Sequence, residues 1–149
     1  MRERKCTMSD NSLQVNVRLV DDKVKFLAAS NLQPDKEIAF DYVPPVGSGE
    51  GFLGLELLLM SFAGCVSTAI VFLLRRMGHP VVDYRMNASA IRRENPISLE
   101  KIFAEISIDS ASIPAADVER AIQQASCISP VWLAVKNNVD VSLAYKASE

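Results

Sequence analysis

The residues of this 149-residue chain best able to do chemistry are three cysteines, Cys6, Cys65 and Cys127. Only the thiolate of a cysteine is a strong nucleophile. In apolar surroundings it needs a cation, a helix N-terminus or a comparable neighbour to form. Cys65 has such surroundings, because it sits inside ELLLMSFAGCVSTAIVFLLRR, where Leu57 to Leu74 run for eighteen residues without a charge. An odd cysteine count with no CxxC pair is not a disulfide framework. A single histidine, His79 in MGHP, leaves too few ligands for a zinc site and reads as a turn residue past a helix end. No metal and no cofactor is implied.

Eighteen uncharged residues reach the lower edge of a membrane span, so the element carrying Cys65 has to be decided first. The run contains Ser61, Gly64, Cys65 and Thr68, which share one small-residue stripe at i, i+3, i+4 and i+7 of a helix. Wide apolar faces with Leu58, Phe62, Ala69 and Phe72 flank that stripe. RRMGHP then supplies a helix ending, with arginine in the last turn, Gly78 past the end and Pro80 beyond. No second apolar run and no aromatic belt accompanies it. The reading is a central buried helix, not a span. A helix apolar on nearly every side in so small a chain calls for a second copy to help cover it.

The remaining chain supplies the elements around that helix. Val15, Val17 and Leu19 alternate with polar residues, Asp21-Asp22 turn, and Val24, Phe26 and Ala28 alternate again, which predicts a hairpin. EIAFDY predicts a third strand, and VPPVGSGEGFLG a Pro/Gly-rich loop into the helix. Val82 to Ala90 and Ile102 to Ile108 predict two long strands joined by the turn RRENPIS. IPAADVERAIQQAS predicts a helix, SPVWLAVKNN a short one, and Val139 to Tyr145 a last strand. Without repeated βαβ alternation the class is α+β with antiparallel sheet. One domain over residues 13–149 is expected, after a flexible tail over residues 1–12 that holds Cys6. The polar opening MRERKCTMSDNSLQ is not a signal peptide. With unpaired thiols, it points to the cytoplasm. A net charge of −2, with no basic aromatic cluster, leaves no basis for nucleic acid or an anionic membrane as partner.

GLELLLMSFAGC, the strand–strand–helix order that follows it, and SPVWLAVKNNVDVSL together resemble the OsmC/Ohr family, the osmotically inducible and organic-hydroperoxide-resistance proteins. The resemblance spans about Val15 to Tyr145. It implies an intertwined homodimer in which two sheets wrap a pair of central helices per chain. It also implies a peroxide-reducing site at the dimer interface. In that pattern a cysteine of the first central helix attacks the O–O bond and a second cysteine, just before a proline, resolves the sulfenic acid. A glutamate near the start of the helix and an arginine of the N-terminal half tune the reactive thiol. A dithiol reductant would then restore the pair.

Carried over residue by residue, Cys65 matches the attacking cysteine; as a packing residue it would be a small buried hydrophobe. Ser129, not a cysteine, precedes Pro130 at the resolving position, and serine suits a helix cap there. Cys127, two residues earlier, either substitutes for the resolving thiol or is a buried structural cysteine. The glutamate position falls on Leu55, with Gly54 at the preceding proline; Glu56, one residue on, is either its stand-in or an acid suited to a helix's first turn. Arg18 is the one arginine between the N-terminal tail and Arg75, either the activating cation or a solvated strand residue.

Two functions follow, beside the blander reading of a subunit whose two helices serve only dimer packing. One is a thiol peroxidase acting through Cys65, with organic hydroperoxides favoured because the helix is so apolar. The other is a non-catalytic dimer that binds an apolar or sulfur-containing small molecule at its interface. The departures at Gly54, Leu55 and Ser129 are what separate them.

Overall fold

A computed structural model describes residues 12–109 and 112–147. Most of the expected tail, with Cys6, lies outside the described residues. The chain divides into two compact units, one ending at Gly54 and one beginning at Leu55.

The first unit is an antiparallel meander of β1 (Val15–Leu19), β2 (Phe26–Ser30) and β3 (Gln33–Phe40). The β1–β2 turn is set by Asp21, whose carboxylate accepts the backbone N–H groups of Lys23 and Lys25 at 3.0 and 2.9 Å. β3 starts four residues before the expected EIAFDY strand and stops at Phe40. Its Pro34 is tolerated because β3 is an edge strand. The register sets Val17 opposite Ala28 and Ala28 opposite Ile38 on one face. Val15, Val17 and Leu19 on that face are exposed.

The loop after β3 is built on one buried carboxylate. Asp41 Oδ1 accepts Tyr42 N–H at 2.8 Å, and Oδ2 accepts Ser48 N–H at 3.1 Å and Glu50 N–H at 3.0 Å. Gly47 is required inside this turn, because a Cβ there would fall 2.1 Å from Tyr42 O and 2.3 Å from Asp41 Oδ1. The Glu50 N–H first, then those of Tyr42 and Ser48, hold the Asp41 carboxyl below the usual carboxylate range against the opposing effect of burial.

The second unit joins α1 (Gly54–Arg76), β4 (Tyr84–Glu94), β5 (Ile97–Ile108), α2 (Ala115–Ile128), α3 (Pro130–Val135) and β6 (Asp140–Ala147). α1 ends as its sequence dictates. Gly78 takes a φ of 90°, His79 N–H reaches Leu74 O and Gly78 N–H reaches Arg75 O, both at 3.0 Å. His79 is more than a turn residue: its Nε2 lies 2.7 Å from Asp117 Oδ2 at the start of α2, and Arg120 also pairs with Asp117. The sheet order is β4-β5-β6, with β4 antiparallel and β6 parallel to β5. The expected α+β class stands, but the last strand departs from an all-antiparallel sheet. The α2–α3 connection is long enough to carry the chain back and lay β6 alongside β5 in the same direction.

The core lies between α1, the inner face of β5 and α2. It joins Phe62, Val66, Ile70 and Leu74 to Ile102, Ile106 and Ile108, and to Val118, Ala121 and Ala125. The period of two along β5 and the four-residue spacing along α2 are what bring these side chains to one place. α1 is not buried all round. Met60 and Phe72 remain 48% and 57% exposed, and a Cβ at Gly64 would meet nothing within 4 Å. By length and composition α1 could cross a membrane, with a mean hydropathy of 2.4 over its most apolar window. In the structure its inner side packs into a core shared with strands.

A depressed carboxyl contributes stability that is present above its unfolded pKa and is lost as pH falls through its folded value. Asp41 therefore supports the first unit at neutral pH and ceases to do so as the medium is acidified below about pH 4. Asp41→Asn should lower the melting temperature at neutral pH and flatten its acid dependence. Thermal melts followed by circular dichroism between neutral and acid pH check this; an unchanged acid limb in the variant would assign that limb to other groups.

Candidate functional site

α1 sets Cys65 at the border between its buried and exposed sides. Phe62, Val66 and Ala69 lie inward, Gly64 and Thr68 outward, and the Cys65 side chain is half-buried. The residue facing it comes from the break between α2 and α3. Pro130 opens α3 and disfavours a helical conformation for its predecessor, and Ser129 is accordingly extended, at φ −69° and ψ 115°. Its backbone still serves both helices: Ser129 N–H donates to Ala125 O at 2.8 Å, and Ser129 O accepts Leu133 N–H at 3.0 Å.

The Ser129 side chain does not act as the expected helix cap. It makes no capping hydrogen bond, is fully buried, and donates its hydroxyl to Cys65 Sγ at 3.3 Å. Such a donor is worth most when the sulfur is a thiolate, since hydrogen bonds to an ionised acceptor are the stronger kind. The structure thus brings Cys65 and Ser129 together.

The other candidates are not members of this hydrogen-bonded pair. Cys127 is exposed on α2, not buried, with Ser126 Oγ 3.8 Å from its sulfur. Both described cysteines are free thiols. Glu56 is on the exposed side of the first turn of α1, and Leu55 packs at the edge of the core. Arg18 lies on β1 in the first unit, where it holds Glu37 Oε1 and Oε2 at 2.9 and 3.1 Å in an exposed ion pair. Among the described residues no group of three or more His, Cys, Asp or Glu side chains could hold a metal ion.

Two features near Cys65 went unread in the sequence. A cleft of about 460 Å³ begins one turn beyond it, lined by Ser67, Thr68, Val71, Phe72 and Arg75. The spacing of Thr68, Phe72 and Arg75 on one helical face is the signal that could have revealed it. Near Ser67 of that lining, Tyr84 Oη is enclosed without a hydrogen bond of ordinary geometry. Burial raises the Tyr84 pKa, and the nearby Ser67 hydroxyl opposes this only in part; that hydroxyl is turned toward Met86 Sδ at 3.7 Å.

The family model for OsmC-like protein matches residues 47–144, more than half of the chain. The chain belongs to the OsmC-like family. Solved structures share the fold along nearly the whole OsmC-like chain. An OsmC-like protein from Mycoplasma pneumoniae superposes with a TM-score of 0.79 at 18% identity, over 94% of this chain and 99% of that one. An organic hydroperoxide resistance protein OsmC from Legionella pneumophila gives a TM-score of 0.72 at 15% identity, over 93% and 98%. A Vibrio cholerae protein described as an organic hydroperoxide resistance protein, with captopril bound in one of its active sites, gives 0.71 at 16%, over 96% of each chain. No curated protein matches the chain. Against the cysteine pair that the resemblance implied, this OsmC-like chain presents a cysteine–serine pair in hydrogen-bond contact.

Replacing that serine tests the contact directly. Ser129→Cys should close a disulfide with Cys65 on mild oxidation, since the longer carbon–sulfur bond brings the second sulfur nearer still. In the reduced form it should cost about 1–3 kcal/mol, from added volume at a fully buried position. Non-reducing peptide mapping reads the crosslink; sulfinic Cys65 without one would mean that the two side chains do not meet productively.

Proposed function

We propose that this OsmC-like protein reduces organic hydroperoxides, with Cys65 as the attacking thiol. The observation that carries the reading is the hydroxyl of buried Ser129 donating to Cys65 Sγ. A sulfur held by a donor at the border of an apolar core can attack a peroxide oxygen while the departing alkoxide remains near solvent. The apolar lining of the adjoining cleft, Val71 and Phe72, suits the organic part of a hydroperoxide better than hydrogen peroxide. Proteins of this fold that carry organic hydroperoxide resistance in their names support the reading. The free-thiol state of Cys65 and Cys127 suits a reducing cytoplasm.

The working form in this proposal is a homodimer. Val15, Val17 and Leu19 on the first sheet, and Met60 and Phe72 on α1, are apolar and exposed in a single copy. Exposed apolar residues grouped on one element mark association sites, and each unit carries its own group. A second copy is the partner to which the family resemblance points.

A second reading, a non-catalytic dimer that holds a small molecule in the cleft beside Cys65, draws on the V. cholerae relative with captopril in one of its active sites. Titration with cumene hydroperoxide separates the two. The peroxidase reading expects Cys65 to be lost at near-stoichiometric oxidant, with a sulfenic acid trapped by dimedone, and expects Cys65→Ser to abolish consumption. Survival of Cys65 until large excess would leave the binding reading. Sedimentation at micromolar concentration should show a dimer; a folded monomer there would defeat the assembly proposed.

A further inference from the structure

The surroundings of Cys65 bear on what reduces it. We infer that Cys65 is restored by an external low-molecular-weight thiol, through a mixed disulfide on Cys65 itself, without Cys127 closing onto it. The inference rests on the hydroperoxide reading above and names the co-reactant of that same site.

The first ground is that the place beside Cys65 is taken. Ser129 is fully buried with its hydroxyl on the sulfur, and a hydroxyl forms no disulfide. The second is the direction of Cys127. Ala121, Ala125 and Ser129 follow one another at four-residue spacing on the buried side of the α2–α3 segment. Cys127 is two residues from Ala125, roughly 200° around the helix, and is exposed. Turning it inward would break the Ser129 N–H to Ala125 O and Leu133 N–H to Ser129 O bonds that hold the junction. It would also remove Ser129 from the sulfur. The third ground is access: in one copy Cys65 is half-buried and not sealed, and a site that a second copy partly covers admits a small thiol more readily than a protein one.

The chemistry balances with two equivalents of thiol. The Cys65 thiolate attacks the outer peroxide oxygen. The O–O bond breaks, the alkoxide leaves and takes a proton as the alcohol, and Cys65 becomes a sulfenic acid. A small thiolate then attacks the Cys65 sulfur, hydroxide leaves as water after protonation, and a mixed disulfide forms. A second small thiolate attacks the outer sulfur of that disulfide and releases the Cys65 thiolate with a symmetrical small disulfide. The sum is one hydroperoxide and two thiols converted to one alcohol, one water and one disulfide. In this scheme the Ser129 hydroxyl serves twice, donating to the sulfur when it attacks and again when it leaves with negative charge.

The test uses the whole chain, cumene hydroperoxide as oxidant and glutathione as the thiol. After one equivalent of oxidant followed by limiting glutathione, intact-mass and peptide analysis should place a single glutathione on Cys65. Excess glutathione should sustain turnover, and Cys127→Ser should turn over within about twofold of the unmodified protein. A crosslink from Cys65 to Cys127 or Cys6, or a tenfold loss of turnover in Cys127→Ser, would overturn the inference while leaving the hydroperoxide reading intact. Cys65 unmodified by the oxidant under every condition would overturn both.

Discussion

The constraint on which the rest of this structure depends is the division of α1 into two sides. A 23-residue helix with no charge through its middle has to hide apolar surface, and one copy of the chain hides only part of it. Phe62, Val66, Ile70 and Leu74 are fully buried against β5 and α2. That packing fixes the rotation of α1 about its own axis. Cys65 follows from the rotation, falling at the border where a thiol is sheltered from bulk water and still approachable. A turn of the helix by one residue, about 100°, would seal the sulfur in the core or expose it fully.

The second determinant is a backbone one. Proline at position 130 forces the residue before it out of the helical region, and the chain bends between α2 and α3 at that point. The bend delivers Ser129 to Cys65 and leaves the serine hydroxyl free of any capping duty. Proline's effect on the backbone is indifferent to whether the preceding side chain is serine or cysteine. The scaffold can therefore keep its shape while the chemistry of the residue facing the thiol changes.

Most of this arrangement was legible in the sequence because it rests on local rules. The period of two located β1, β2, β4, β5 and β6, Gly78 marked the end of α1, and SPVW marked the junction with Ser129 in place. Other features were hidden because they are settled by contacts between distant residues. The direction of β6 depends on how far the α2–α3 connection carries the chain, which no window of sequence encodes. The uneven burial of α1 could not be read from a run apolar on every side. His79 looked like a turn residue because Asp117, its partner, lies thirty-eight positions away. The exposure of Cys127 followed from helical phase: once Ala121 and Ala125 face inward, position 127 faces out.

The mixed sheet has a consequence for how the second unit assembles. β4 and β5 meet across a turn of two residues, Asn95 and Pro96, so their pairing is local and closes with little loss of chain entropy. β5 and β6 pair in parallel only after both α2 and α3 have been laid between them. Contacts between residues far apart in sequence form slowly, because the intervening chain must be ordered before the pairing rewards it. The β4–β5 hairpin can therefore form early, whereas Cys65 and Ser129, sixty-four positions apart, meet only when distant parts of the chain have been brought together. The last strand can pair only once the α2–α3 segment has been brought back along the sheet. On this ordering the sulfur and the hydroxyl reach their final separation at the end of folding, and the site matures with the edge of the sheet.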